Sequence, residues 1–165
     1  MIQLVSRVMK NSDKTEPTRG RSIDSDNVFI SRAGWYVLKY PGSWELEEDN
    51  ETVTLYNLDR GVGALVLSSY STPGTSNAET LLLQFVESQS IIADKKRITL
   101  TEQAETRIAS YDHTSPQGYM KAWAILEGPL LVLITYNCKS GAEEREMRVV
   151  EEIIKSLRVM REDHT

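Results

Sequence analysis

The sequence predicts an α+β domain, in which an antiparallel β-sheet of six to seven strands carries two main helices packed on it. Two observations predict this class. Runs of alternating apolar and polar residues are separated by short turn sequences, as in a meander of strands. Two other segments carry apolar residues at helical spacing, each behind a Ser-x-x-Glu sequence typical of a helix start. Sheets of this kind bury their apolar faces against helices.

The strand predictions start with the segment Gly34–Trp44, which holds two of the three tryptophans. Residues Trp35 to Tyr40 favour β structure, and Pro41-Gly42 predicts a turn, so that the segment forms the first hairpin of the sheet. Leu130–Ile134 is apolar at consecutive positions, which predicts a central strand covered on both faces. The other strand-like runs lie at 52–58, 62–70, 107–113 and 119–126, with a shorter one around Ile98 and Leu100.

Two helices are predicted from capping sequences. In Ser76-Asn77-Ala78-Glu79, serine is expected at the N-cap of the first helix, with glutamate three residues later. Ser140-Gly141-Ala142-Glu143 repeats the pattern before the last helix. The predicted apolar faces consist of Ala78, Leu82, Phe85, Val86 and 89–92 in the first helix, and of Met147, Val150, Ile153, Ile154 and Leu157 in the second.

Composition bounds the function. The chain has 165 residues, 40% hydrophobic and 26% charged, which suits one domain with its own core. A net charge of −5 disfavours nucleic acid and anionic membranes as partners, because both attract concentrated lysine and arginine. The longest apolar run, 129–134, is too short for a membrane helix. Cys138 is the only cysteine, which excludes an internal disulfide and a cysteine-based zinc site. We therefore expect a cytoplasmic protein without metal or cofactor.

The folded domain is predicted to span residues 28–160. Residues 1–27 are expected to form a flexible N-terminal lead-in, because the stretch 11–27 is polar and cannot bury enough apolar surface to offset its ordering entropy. Arg7 interrupts the apolar positions of Met1–Lys10 and no small-residue cleavage site follows, so no secretory signal is predicted. Residues 161–165 are expected to be a frayed tail.

Three short sequences carry a family resemblance: Tyr-Pro-x-x-Trp at Tyr40 to Trp44, Leu-Val-Leu-Ile-Thr-Tyr at Leu131–Tyr136, and Ile-Ile-x-Ser-Leu at Ile153–Leu157. With the order of strands and helices, they resemble the PsbP-like superfamily, which includes photosystem PsbP proteins, Ran-binding Mog proteins and bacterial DcrB-like domains. The resemblance covers most of residues 28–159. It implies an α/β/α sandwich that serves as an adaptor, chaperone or assembly factor, and it implies no catalytic residues.

The sequence offers little catalytic chemistry. His113 follows Asp112 at a strand end, and a Ser-His-Asp site could be built with Ser110 or Ser115. Neighbouring residues on a strand point to opposite faces, however, so Asp112 could not easily orient His113. The other histidine, His164, lies in the predicted tail.

The aromatic residues are the candidate partner-binding residues. Neighbours on a strand alternate in direction, so the aromatics of Gly34–Trp44 cannot all point inward, and exposed aromatics are favoured as interface anchors. We expect some of them to pack in the core and the remainder to contact a partner. The candidates are Trp35, Tyr36, Tyr40, Trp44 and Tyr56.

These observations favour a non-enzymatic protein-binding domain, such as a bacterial adaptor, effector chaperone or immunity protein. Because the chain is acidic, its protein partner is expected to be basic. One alternative is a small-ligand-binding domain with an apolar pocket lined by Trp35, Trp44 or Trp123. A second alternative is an enzyme with a site assembled around Asp112 and His113.

Overall fold

The structure is a computed structural model that describes residues 25–160. The predictions for residues 1–24, for the tail 161–165 and for His164 lie outside the described residues. The described residues form two α-helices, α1 (Ala78–Ser88) and α2 (Met147–Ser156). The strands are β1 (Asn27–Ile30), β2 (Tyr36–Tyr40), β3 (Trp44–Asp49), β4 (Thr52–Asn57), β5 (Gly63–Ser71), β6 (Thr99–Gln103), β7 (Thr106–Ser115), β8 (Gly118–Glu127), β9 (Leu130–Cys138) and β10 (Arg158–Val159).

Seven of the strands form one large sheet in the order β3-β4-β5-β9-β8-β7-β6. All of its neighbouring strands are antiparallel, so the predicted α+β class with an antiparallel sheet is confirmed. β9 lies in the middle of the sheet, between β5 and β8, as its continuous apolar run predicted. The strand β3, which the sequence analysis did not identify, forms one edge.

The aromatic-rich segment is divided between two sheets, which corrects its prediction as the first hairpin of the main sheet. β2 pairs with β1 on one side and with β10 on the other in a separate three-stranded sheet. A turn closed by the Trp44 amide donating to the Pro41 carbonyl, at 3.0 Å, then starts β3 in the large sheet. The Pro-Gly turn therefore passes the chain from one layer to the next.

The two helices lie on opposite faces of the large sheet. Successive residues of β8 point to different clusters: Trp123 and Ile125 join the core beneath α2 and the small sheet, whereas Ala122 and Ala124 join the core beneath α1. Alanine also occupies position 109 in the α1 cluster. These small side chains leave room for a helix to approach the strands closely. The sandwich that the resemblance implied is therefore present.

Helix α1 begins one residue later than its predicted cap. Its N-cap is Asn77, whose Oδ1 accepts a hydrogen bond from the Thr80 amide at 3.2 Å, so Ser76 lies outside the helix. Asparagine is as good an N-cap as serine, and here it satisfies the first-turn amide. The helix ends at Ser88, followed by Ser90 at φ 63°, and Ile92 is 98% exposed. The predicted apolar face is therefore wrong for its last turn.

Helix α2 does not start at Ser140. A 3₁₀ turn at Glu143–Arg145 precedes it, and α2 begins after Glu146, without a side-chain cap at either start. Glu146 is buried, and its carboxylate accepts hydrogen bonds from the Val62 and Gly63 amides at 3.1 Å each and from the Tyr136 hydroxyl at 2.8 Å. One side chain thus joins the start of α2 to the β4–β5 connection and to the central strand.

Gly63 is required where this carboxylate meets the sheet. A Cβ atom there would lie 2.5 Å from the Asn137 carbonyl oxygen and 2.7 Å from the Tyr136 ring. Glycine lets the backbone approach the neighbouring strand this closely. The Gly61-Val62-Gly63 sequence therefore serves a tight connection.

Buried tyrosines should make the fold sensitive to alkali. Burial raises the pKa of Tyr36 and of Tyr119 to about 12, and burial with the Glu146 hydrogen bond raises the pKa of Tyr136 further. A raised folded-state pKa stabilises the fold fully below the unfolded value of about 10, and this contribution is lost as the pH rises toward 12. We expect urea midpoints to fall between pH 10 and 12. Tyr36→Phe should reduce that fall, and a flat profile would contradict the prediction.

Candidate protein-binding surface

The aromatic candidates of Gly34–Trp44 do not gather into an exposed patch. Tyr36 is 2% exposed and Trp44 is 4% exposed, and both belong to the core cluster between the two sheets. Trp35 and Tyr40 are half-buried and pack against the same cluster. Tyr36 and Trp44 therefore have almost no surface to offer a partner, because both side chains pack inside this cluster.

Tyr56 lies on the opposite face of the large sheet from these residues and is partly exposed. Its neighbours in β4, Leu55 and Val53, alternate with it into the core. The Tyr56 hydroxyl donates a hydrogen bond of 2.6 Å to Glu47 Oε1 in β3. That bond raises the pKa of Tyr56, so the hydroxyl stays protonated and the ring is held beside a carboxylate.

Tyr56 belongs to a sheet surface that α1 covers only in part. Helix α1 packs on β7 and β8. A row of directly paired residues runs across the sheet from Glu47 through Thr54, Val66 and Thr135 to Ala122. Ala122 is buried beneath α1, whereas the first four positions are exposed or half-buried. We call the half that α1 leaves uncovered, on β3, β4, β5 and β9, the open face: Glu45, Glu47, Asp49, Thr54, Tyr56, Val66 and Thr135.

The open face is acidic. Glu45, Glu47 and Asp49 alternate along β3 on this side of the sheet, and all three are exposed. The four strands that form the face contain no lysine, arginine or histidine. Several exposed carboxylates on one surface produce a negative potential that attracts cations. The arrangement can therefore bind a positively charged group beside an aromatic ring and an aliphatic side chain.

Sequence reasoning named Tyr56 as a candidate, which stays a prediction, and did not name the carboxylates around it. The signal was the alternation Trp44-Glu45-Leu46-Glu47, in which apolar residues face the core and acidic residues face outward. The face itself depends on which strands α1 covers. That is a property of strand order, which a local pattern does not contain.

Asp112 and His113 are not arranged as a catalytic pair. Asp112 lies opposite Lys121 in β8, and its Oδ1 accepts a hydrogen bond from Arg97 Nη2 at 3.3 Å. His113 lies opposite Met120. The two side chains therefore point to opposite faces of the sheet, as strand alternation predicted. Ser115 Oγ accepts a hydrogen bond from the Gln117 amide within the β7–β8 turn. The structure thus gives His113 no orienting carboxylate from Asp112.

Two grooves flank the start of α1 and the β6–β7 hairpin. The larger, about 370 Å³, is lined by Gly74, Ser76, Glu102, Ala104, Glu105, Arg107, Leu126 and Gly128. The smaller, about 80 Å³, lies beside it and is lined by residues that include Asn77, Leu100 and Ile108. Neither groove is lined by Trp35, Trp44 or Trp123, the residues expected to line a small-ligand pocket.

Within residues 25–160, no three histidine, cysteine, aspartate or glutamate residues come together as a metal site. Neither of the two α-helices has the length and apolar character needed to cross a bilayer.

An antiparallel sheet between two helices, with a small sheet beside one of them, defines an α+β domain of PsbP-like fold. The solution structure of the cyanobacterial PsbP protein CyanoP from Synechocystis is similar, with a TM-score of 0.61 at 10% identity, over 88% of this chain and 98% of that one. The chain belongs to the family described as a domain of unknown function, DUF3805, whose sequence profile matches residues 24–165.

A crystal structure from Bacteroides thetaiotaomicron is also similar, with a TM-score of 0.59 at 19% identity. The match covers 82% of this chain and 48% of the other, so this chain spans about half the length of that protein. None of the curated proteins compared with the chain matches it. At these identities the two structures establish the fold.

Proposed function

We propose that this chain is a non-enzymatic protein-binding domain that holds a basic protein partner on its open face. In a bacterial cytoplasm it would act as an adaptor, an effector chaperone or an immunity protein. The observation that carries the proposal is the acidic half of the sheet that α1 leaves uncovered. The PsbP-like resemblance supports the same class, because it implies adaptor and assembly roles.

The shape of the open face suits a protein partner. Its centre is formed by Val66, Thr54 and Thr135, which are half-buried and lie in one cross-strand row. Tyr56 stands beside this row with its hydroxyl fixed by Glu47. A tyrosine that is already positioned loses little conformational freedom on binding, which is why tyrosine is frequent at binding hot spots.

The charge of the face selects the partner. Glu45, Glu47 and Asp49 stand along its outer margin at every second residue of β3. Lysine or arginine side chains of a partner would meet these carboxylates, which raises the association rate at low salt. Added salt should slow association, because charges separated by more than about 8 Å are screened at physiological ionic strength.

The test is affinity capture from the source organism, followed by titration of the captured protein in recombinant form. The bait is the full chain, compared with a Glu45→Gln/Glu47→Gln variant. We expect one near-stoichiometric, basic partner on the wild-type bait and at least about tenfold weaker binding to the variant, equivalent to about 1.4 kcal/mol. Wild-type binding should also weaken as salt is raised.

The matched control is Glu87→Gln/Glu144→Gln, which removes the same charge from exposed sites outside the open face. It should bind as the wild type does. Equal loss in both variants would mean that net charge alone is recognised. No stoichiometric partner, or a partner that binds the open-face variant normally, would contradict the proposal.

A further inference from the structure

The small sheet ends in an uncharged edge strand. Among residues 25–160, β1 pairs only with β2, so its other side is an edge of the three-stranded sheet. Its outward residues Val28 and Ile30 are 61% and 57% exposed, while Phe29 packs on the core. The edges of the large sheet differ, since β3 carries four acidic residues and β6 carries Glu102. Charged edges resist strand addition, and β1 lacks that protection.

We propose that β1 pairs with β1 of a second copy of this chain, which joins two small sheets into one six-stranded antiparallel sheet. A two-fold axis perpendicular to the sheet keeps the inner and outer faces of both copies aligned. With the axis at Phe29, Val28 of one copy lies directly opposite Ile30 of the other, on the outer face. Val28 of each copy thereby covers Ile30 of the other, so the same apolar contact forms on both sides of the axis.

The charges beyond the strand ends fit the same register. Asp26 precedes β1 and Arg32 follows it, and both are exposed. Pairing centred on Phe29 brings Asp26 of one copy toward Arg32 of the other, at both ends of the junction. Arg32 Nε also lies 3.8 Å from Glu48 Oε1 of its own chain, and the Arg32 side chain is 69% exposed. Opposite charges meet across the two-fold axis, so the surface is self-complementary.

The junction is small. Only four residues of each copy take part in the strand pairing. Stable complexes usually bury about 1,200–2,000 Å², so we expect a weak dimer that forms as the concentration rises. The junction lies on the small sheet, which packs on the other side of the large sheet from the open face. Dimerisation and partner binding are therefore separate and can fail separately.

The test is sedimentation equilibrium of the full chain over an about hundredfold concentration range, because self-association follows mass action. The wild type should shift from monomer toward dimer. Val28→Lys should weaken association at least about tenfold. The matched control is Leu100→Lys on the edge strand β6, where the side chain is 57% exposed, and it should associate as the wild type does. Circular dichroism verifies that each variant is folded.

A charge swap tests the register. Asp26→Arg and Arg32→Asp should each weaken the dimer, and the double variant should recover association within about threefold of the wild type, because the pairs are restored in reverse. A chain that stays monomeric throughout, for instance because another segment covers β1, overturns the proposal. A dimer that tolerates Val28→Lys also overturns it. Failure of the double variant to recover would exclude the Phe29-centred register.

Discussion

Replacing Glu146 by alanine is expected to lower the free energy of unfolding by about 3–5 kcal/mol. The carboxylate accepts hydrogen bonds from the Val62 and Gly63 amides and from the Tyr136 hydroxyl. Alanine would leave these three donors without their acceptor. Tyr136 is fully buried, so its hydroxyl would have no water to replace the lost acceptor. A donor left unsatisfied in the interior costs more than a hydrogen bond gains when it forms.

The measurement is urea unfolding at neutral pH, read as a lower midpoint with an unchanged slope. Glu146→Gln keeps an acceptor oxygen but loses the charge, so it should lower the free energy of unfolding by less than Glu146→Ala does. Tyr136→Phe removes one of the three bonds and should cost about 1–2 kcal/mol. The control Glu144→Ala changes an exposed neighbour and should have little effect. If Glu146→Ala and Glu144→Ala unfold alike, the buried carboxylate does not hold the connection.

Trp44→Ala is expected to cost about 3–5 kcal/mol of stability, which is the range for truncating a large aromatic in a core. Trp44 is the first residue of β3. Its side chain packs in the cluster between the two sheets and is 4% exposed. Alanine would leave a cavity where the chain crosses from the small sheet to the large one. The surrounding strands are held by their own pairing, so they cannot close it completely.

The contrast variant is Tyr56→Phe, on the opposite face of the same sheet. It removes only the hydroxyl that donates to Glu47, so its effect on stability should stay within about 1 kcal/mol. Both variants would be compared by urea unfolding and by near-ultraviolet circular dichroism. A Trp44→Ala protein with wild-type stability would restore Trp44 as a candidate for the surface.

Local patterns were sufficient for the fold class and for most strands. Leu130–Ile134 predicted the central strand because its residues are apolar on both faces, and that requirement is local. The alternation in residues 52–58 predicted β4 to within one residue. Both helices exist, and their opposite placement follows from the two sets of residues that β8 presents.

Long-range contacts decided what the sequence did not predict. Ser140 to Glu143 has the letters of a capping box, yet α2 starts after Glu146, whose carboxylate is engaged by amides 83 and 84 residues away. The division of Gly34–Trp44 into two sheets depends on β10, which pairs with β2 from the other end of the described chain. The open face likewise depends on where α1 packs.

The position of β2 has a consequence for synthesis of the protein. It lies between β1, which is made just before it, and β10, where Arg158 faces Val37 across 121 residues of sequence. While the chain is emerging from the ribosome, the large sheet can assemble from β3 to β9, but one edge of β2 stays open until residues 158 and 159 appear. Contacts of such separation form late because the intervening loop must first be closed. The small sheet should therefore be the last part of the domain to form. Until β10 pairs with β2, the nascent domain would expose an edge of β2 in addition to that of β1.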